Sequence, residues 1–121
     1  MDEQKIFLQG IEKFNKRNFY GAHECWEEIW SEINIPDDKF IQGLIQLSVA
    51  YFHISNQNVV GAKSLFNKSI NKLIVYNPLH RGLDIKLIVE KAKQSLEILI
   101  TNNSTEKFNW EIVPILIIKN D

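Results

Sequence analysis

The sequence carries one cysteine, three prolines and five glycines among 121 residues. A lone Cys25 excludes an intramolecular disulfide and suits a reducing compartment. At 14.1 kDa the chain can close one core without a disulfide or a metal staple. Charge of one sign is also missing: 14 Lys plus Arg against 15 Asp plus Glu leave a net −1. That balance excludes the basic face a duplex-binding protein needs, and with it an acidic tail or a polybasic membrane anchor, so neither nucleic acid nor membrane is expected as a partner. No apolar run approaches the about 20 residues of a membrane span. The start, MDEQKIFLQG, lacks the apolar stretch of an export signal, so a soluble, cytoplasmic protein is expected. Glycine-rich phosphate loops, paired Cys/His zinc patterns and nucleophile elbows are all absent.

What is present is helical periodicity, in a composition of 45% hydrophobic and 24% charged residues that fits one globular domain over residues 1–121. Ile6, Phe7, Gly10, Ile11 and Phe14 recur at three- and four-residue spacing behind Asp2, a capping residue, and predict a first helix to about Lys16. Asn18 caps a second, with the stripe Phe19, Ala22, Trp26, Ile29, Trp30 and Ile33, ending before Asn34 and Pro36. Asp37 or Asp38 caps a third, FIQGLIQLSVAYFHI, apolar on nearly every side and therefore expected at the bundle centre. Asn58 caps a fourth with Ala62, Phe66, Ile70 and Leu73 inward, residues 77–82 read as a turn-rich loop, and Asp84 starts a fifth that ends near Asn102. The β-branched end, FNWEIVPILIIKN, is either a strand-like tail or a last irregular turn across the bundle.

Asn18-Phe19-Tyr20-Gly21-Ala22 recurs as Asn58-Val59-Val60-Gly61-Ala62, and Trp26 and Trp30 then align with Phe66 and Ile70. Each copy caps the second helix of a hairpin, with small residues that permit close helix approach. The expected fold is all-α: about five helices, built from two tetratricopeptide-like hairpins plus a covering helix and an irregular C-terminal tail.

A few polar residues interrupt the apolar stripes. On the second helix His23 falls on the stripe between Phe19 and Trp30 with Glu27 at its edge, whereas Glu24 and Glu28 point toward solvent. A His and a Glu four apart can share a metal, a hydrogen bond or acid/base work. On the third helix Gln42, Gln46 and His53 share one sector. If the two stripes face each other across an antiparallel pair, His23, Glu27, Gln42, Gln46 and His53 gather as a polar cluster inside the bundle, with Glu24 beside it as a further candidate. The commoner role of such a cluster is a satisfied network that fixes helix register. A divalent metal, zinc, iron or manganese, would take His23, Glu27 and His53, although the glutamines are better hydrogen-bond partners than ligands. Trp26, Trp30, Tyr51 and Phe52 read as core, Cys25 as a buried or half-buried spectator, and His80-Arg81 as a solvated loop pair without an acidic context.

FNKRNFYGAHECWEEIW, followed by FIQGLIQLSVAYFH and NVVGAKSLFNKSINKL, resembles the blocks of domain-of-unknown-function family 309, small prokaryotic helical proteins with an FNxxxFxxAHExxExxW signature. Over residues 5–75 the matching positions are Phe14, Asn15, Phe19, His23, Glu24, Glu27 and Trp30, then Gln42, Gly43, Leu44, Gln46 and His53, then Gly61 and Ala62. The resemblance implies a compact helical bundle and no established activity. The expected role is a non-enzymatic binding or protein-interaction module whose partner is an unidentified protein or small molecule. The rival is a metal- or ligand-binding protein or enzyme in which His23 serves as ligand or general base, Glu27 as its partner and His53 as the second imidazole. A third possibility is homo-oligomer formation through the apolar tail at residues 112–118.

Overall fold

Short polar side chains start four of the five helices by satisfying backbone N–H groups that have no partner within the helix. In the computed structural model, which describes residues 2–32 and 34–119, Asp2 accepts from Lys5 N at the head of α1 (Glu3–Asn15). Asn18 accepts from Gly21 N and opens α2 (Phe19–Glu32). Asn58 does the same from Gly61 N for α4 (Val59–Leu73), and Asp84 from Leu87 N for α5 (Ile85–Asn102). The exception is α3 (Asp38–Ser55): Asp37 occupies the cap position but makes no capping bond, because its carboxylate is engaged elsewhere. Ile33 of the expected α2 stripe and Asn120 of the tail lie outside the described residues.

The sequence repeat is a structural one. Arg17 and Gln57 both adopt left-handed backbone, φ 63° and 57°. Asn18 N then reaches Lys13 O at 2.9 Å, and Asn58 N reaches His53 O at 2.8 Å. This is the same helix-ending turn twice, satisfying the last carbonyls of α1 and α3 before reversing the chain. Consecutive helices α1 to α4 consequently pack as antiparallel neighbours, and α5 covers α4. At Gly43 a Cβ would stand 2.8 Å from Leu73 Cδ2, so α3 and α4 approach as closely as they do only because position 43 has no side chain.

One cluster of buried side chains runs through all five helices, with Phe7, Phe14, Trp26, Tyr51 and Phe66 fully enclosed. The buried serines are all partnered: Ser48 to Ile45 O, Ser69 to Gly43 O, and Ser95 to Lys91 O and Tyr51 Oη. The loop expected at residues 77–82 instead runs into a two-stranded antiparallel hairpin, β1 (Leu79–His80) and β2 (Leu83–Asp84), with Leu79 opposite Asp84. Its two central residues, Arg81 and Gly82, both take positive φ, 49° and 77°. That combination matches the right-handed twist of a tight hairpin.

The C-terminal segment resolves the two readings left open by its sequence. After a 3-10 turn (Trp110–Ile112) it is extended without joining a sheet, and it lies across the helices. Asn15 holds it with both ends of its amide: Nδ2 donates to Leu116 O at 2.9 Å and Oδ1 accepts from Leu116 N at 2.8 Å. Further along, Lys119 N donates to Gly82 O. Val113 and Leu116 are buried while Ile115 and Ile117 remain exposed, so only alternate residues of the tail are apolar surface. No described helix is long and apolar enough to cross a membrane.

Candidate functional site

Helix α3 lies between α2 and α4, and every residue from 40 to 54 is buried or half-buried. Its outermost stripe, Gln42, Gln46, Val49 and His53, is therefore the floor of a recessed face rather than a ridge. Contacts fix the registers. Tyr20 meets Phe52 with ring centroids 5.3 Å apart, a Cβ at Gly61 would stand 3.0 Å from His53 Cδ2, and one at Gly43 would stand 3.3 Å from Lys72 Cβ. Antiparallel progression then places residues 30, 42 and 72 at one level, 27, 46 and 68 at the next, and 23, 49 and 65 at the third. Tyr20, His23, Glu27 and Trp30 line the α2 wall, while Leu65, Lys68 and Lys72 line the α4 wall.

The two walls differ in charge. The α2 wall carries the Glu27 carboxylate, and the helix contains no Lys or Arg. On the other side burial, together with neighbouring Lys39 and Lys68, holds the Lys72 ammonium below the ordinary lysine pKa. The floor is polar and incompletely bonded: Gln42 Oε1 and Gln46 Oε1 are both buried and neither has a hydrogen-bond partner. A buried amide oxygen left unpaired costs about 1–3 kcal/mol, so two on one stripe stand out against the three partnered core serines.

His23 and Glu27 do come together, at the edge of this face. The imidazole Nδ1 donates to Tyr20 O at 3.0 Å, which leaves Nε2 directed at Glu27 Oε2, 3.8 Å away and too long for a hydrogen bond. Glu24 is exposed and stands apart from the pair. The expected interior cluster is corrected on two points. His23, Glu27, Gln42, Gln46 and His53 are all half-buried rather than enclosed, because α3 turns its most apolar sides toward α2, α4 and the core and its polar stripe outward between the walls. His53 does not join His23: the rings of Tyr20 and Phe52 link the two imidazoles. Its Nδ1 accepts from Asn58 Nδ2 at 3.3 Å, so His53 serves the α3–α4 turn. Accordingly His23, Glu27 and His53 do not assemble as metal ligands, and among the described residues no three His, Cys, Asp or Glu side chains converge as a metal would need.

The aromatic expectations divide. Trp26 and Tyr51 are fully buried, Trp26 donating to Phe7 O and Tyr51 bonded to Ser95, and burial raises the Tyr51 phenol above its ordinary pKa. Trp30, expected in the core, is 38% exposed, Phe52 is half-buried, and Cys25 is a buried free thiol. Tyr20, which sequence reasoning passed over, is more than half exposed on the same wall as Trp30. Its signal was available: positions 20, 23, 27 and 30 share one helical face.

A second polar cluster overturns the reading of His80-Arg81 as solvated and without an acidic partner. Arg81 grips Asp37 through Nε and Nη2 at 2.7 and 2.9 Å, and His80 Nε2 donates to the same carboxylate at 2.7 Å. Arg81 also pairs with Glu3 at 2.6 Å and lies over the Phe7 ring. Burial acts to raise the Asp37 pKa, but the bonds from Arg81 and His80 and their charges outweigh it and hold the carboxyl at about 2. Arg81 is stabilised as a cation chiefly by the Asp37 bond. This clamp ties the head of α1, the approach to α3 and the hairpin together, and every charge in it is answered.

Comparison with known proteins supplies no activity. The model of a family described as "Domain of unknown function (DUF309)" matches residues 7–65, which run from α1 into α4. The chain is 37% identical over 71 residues to a protein of Bacillus subtilis (strain 168) described as "Uncharacterized protein YpuF", a match covering 57% of this chain. That stretch spans 41% of the Bacillus protein's own length.

Proposed function

We propose that the protein is a non-enzymatic binding module whose recognition surface is the α2–α3–α4 groove; the family model that residues 7–65 match carries no assigned activity. The observation that carries this reading is the pair of buried, unpartnered amide oxygens on Gln42 and Gln46. A helix stripe that served only packing would be more stable with apolar side chains of the same length. Polar groups left without partners by the fold fit a surface that is completed by something else. His23, Glu27, Tyr20 and Trp30 belong to the same surface, half-exposed or exposed and free to meet a ligand. This reading places the protein in the cytoplasm, where the thiol of Cys25 stays reduced.

The test is thermal and chemical denaturation of a Gln42→Met/Gln46→Met double variant. The binding reading expects the midpoint to rise or stay level, by about 1 kcal/mol per site at most. A loss of more than about 2 kcal/mol would assign the glutamines to the fold and end the proposal.

A further inference from the structure

The chain itself shows how it holds an extended strand. Asn15, a half-buried amide at the end of α1, pairs both its ends with the backbone of Leu116 in the extended tail. The same chemistry is available on α3, unused. Gln42 and Gln46 lie on one stripe four residues apart, about 6 Å along a helix axis. An extended chain presents backbone groups to the same edge every second residue, about 6.6–6.8 Å apart. The two spacings match closely enough for consecutive pairings along one edge. A half-turn about the last side-chain torsion exchanges the amide oxygen and the NH₂, so each glutamine can turn either group toward a strand.

Building on the binding reading above, we propose that the groove holds an extended peptide segment of a partner protein edge-on, its backbone paired with Gln42 and Gln46. An edge-on strand sends alternate side chains to opposite sides. One row then faces Glu27 and Trp30 on α2, a carboxylate and an exposed aromatic face that suit Arg or Lys. The other row faces Lys68 and Lys72 on α4, which suit Asp or Glu. The partner is therefore an extended peptide of alternating basic and acidic residues, read through its backbone by amides and through its charge alternation by the two walls. A helical partner would present neither the free backbone edge nor the two-residue alternation.

The experiment titrates the full chain with three blocked decapeptides: alternating Arg-Glu, the same composition as an Arg block followed by a Glu block, and the alternating peptide N-methylated at every second residue. The readouts are the Gln42 and Gln46 side-chain NH₂ signals by NMR and the dissociation constant. The alternating peptide is expected to move both signals and to bind at least tenfold more tightly than either control. It should lose at least tenfold on the Gln42→Met/Gln46→Met variant. Equal affinity for the alternating and block peptides, indifference to N-methylation, or unmoved glutamine signals at millimolar peptide would each overturn the strand proposal. The two levels separate through stability: if the double variant is as stable as the parent while the peptides fail, the occupant is wrong and the groove reading stands. If the variant is destabilised, both fall.

Discussion

At the Asp37 clamp one carboxylate receives three hydrogen bonds from two residues, whereas along the α3 floor two amide oxygens receive none. Both regions use similar chemistry, a His and an acid with neighbouring polar groups, and both are only partly withdrawn from water. The clamp spends its polarity internally. Asp37, His80, Arg81 and Glu3 come from three separate parts of the chain, and their bonding is closed. The groove spends little: His23 and Glu27 face each other beyond bonding distance, and Gln42 and Gln46 wait for donors. Residue type does not separate a structural network from a binding surface. Satisfaction does, because a buried polar group earns stability only when paired.

If that contrast is correct, the largest effect belongs to the clamp. Arg81→Met keeps an apolar stem over Phe7 but leaves Asp37 and Glu3 without their cation, and the expected loss is about 2–4 kcal/mol by urea denaturation at neutral pH. Arg81→Lys keeps the charge and loses the two-pronged grip, so it should fall between parent and Met. A loss under about 0.5 kcal/mol for Arg81→Met would show the clamp to be decoration and erase the comparison.

Acid is the next lever. The Asp37 carboxyl sits at about 2 in the folded chain against 3.8 in the reference state, so it binds fewer protons when folded. Its contribution is fully present above about pH 4 and is lost as pH falls through 2, amounting to about 2 kcal/mol. Asp37→Asn should start less stable at neutral pH and lose less than the parent between pH 4 and pH 2. Parallel curves for the two proteins over that interval would assign the acid sensitivity to other carboxylates.

These two regions were unequally legible in the sequence. Caps are local: Asp2, Asn18, Asn58 and Asp84 each bond an N–H three residues on, so residue type and spacing located four helix starts. The paired Asn-x-x-Gly-Ala segments likewise marked two equivalent turns, because each turn is closed within a few residues. The clamp joins residues 43 and 44 positions apart, and no local pattern announces that Asp37 will be drawn from its capping role to a hairpin. The groove was half legible. Helical periodicity gathered Gln42, Gln46 and His53 onto one stripe, but a helix apolar on nearly every side does not declare which sector faces the core. The sequence reading turned the stripe inward; the packing of Gly43 against Leu73 and of Phe52 against Tyr20 turns it outward between two walls. His53 belongs to the stripe by angle and to the α3–α4 turn by bonding, a distinction that periodicity does not contain.

The smallest expected effect is also the one that sharpens the comparison most. His23 and Glu27 stand 3.8 Å apart with side chains 23% and 47% exposed, a separation and exposure at which an i, i+4 pair contributes about 0.5 kcal/mol or less. Glu27→Gln keeps the shape and removes the charge, so the unfolding midpoint should scarcely move. Were Glu27 part of a closed network like the clamp, the same change would break charge-assisted bonds and cost several times more. Affinity should respond where stability does not: the alternating Arg-Glu peptide loses the carboxylate that faces its basic row, and binding should weaken severalfold with a shallower salt dependence. Melting curves and peptide titrations on the one variant therefore place Glu27 on one side of the divide or the other. A destabilised variant with unchanged affinity would move it, and His23 with it, from the binding surface into the fold.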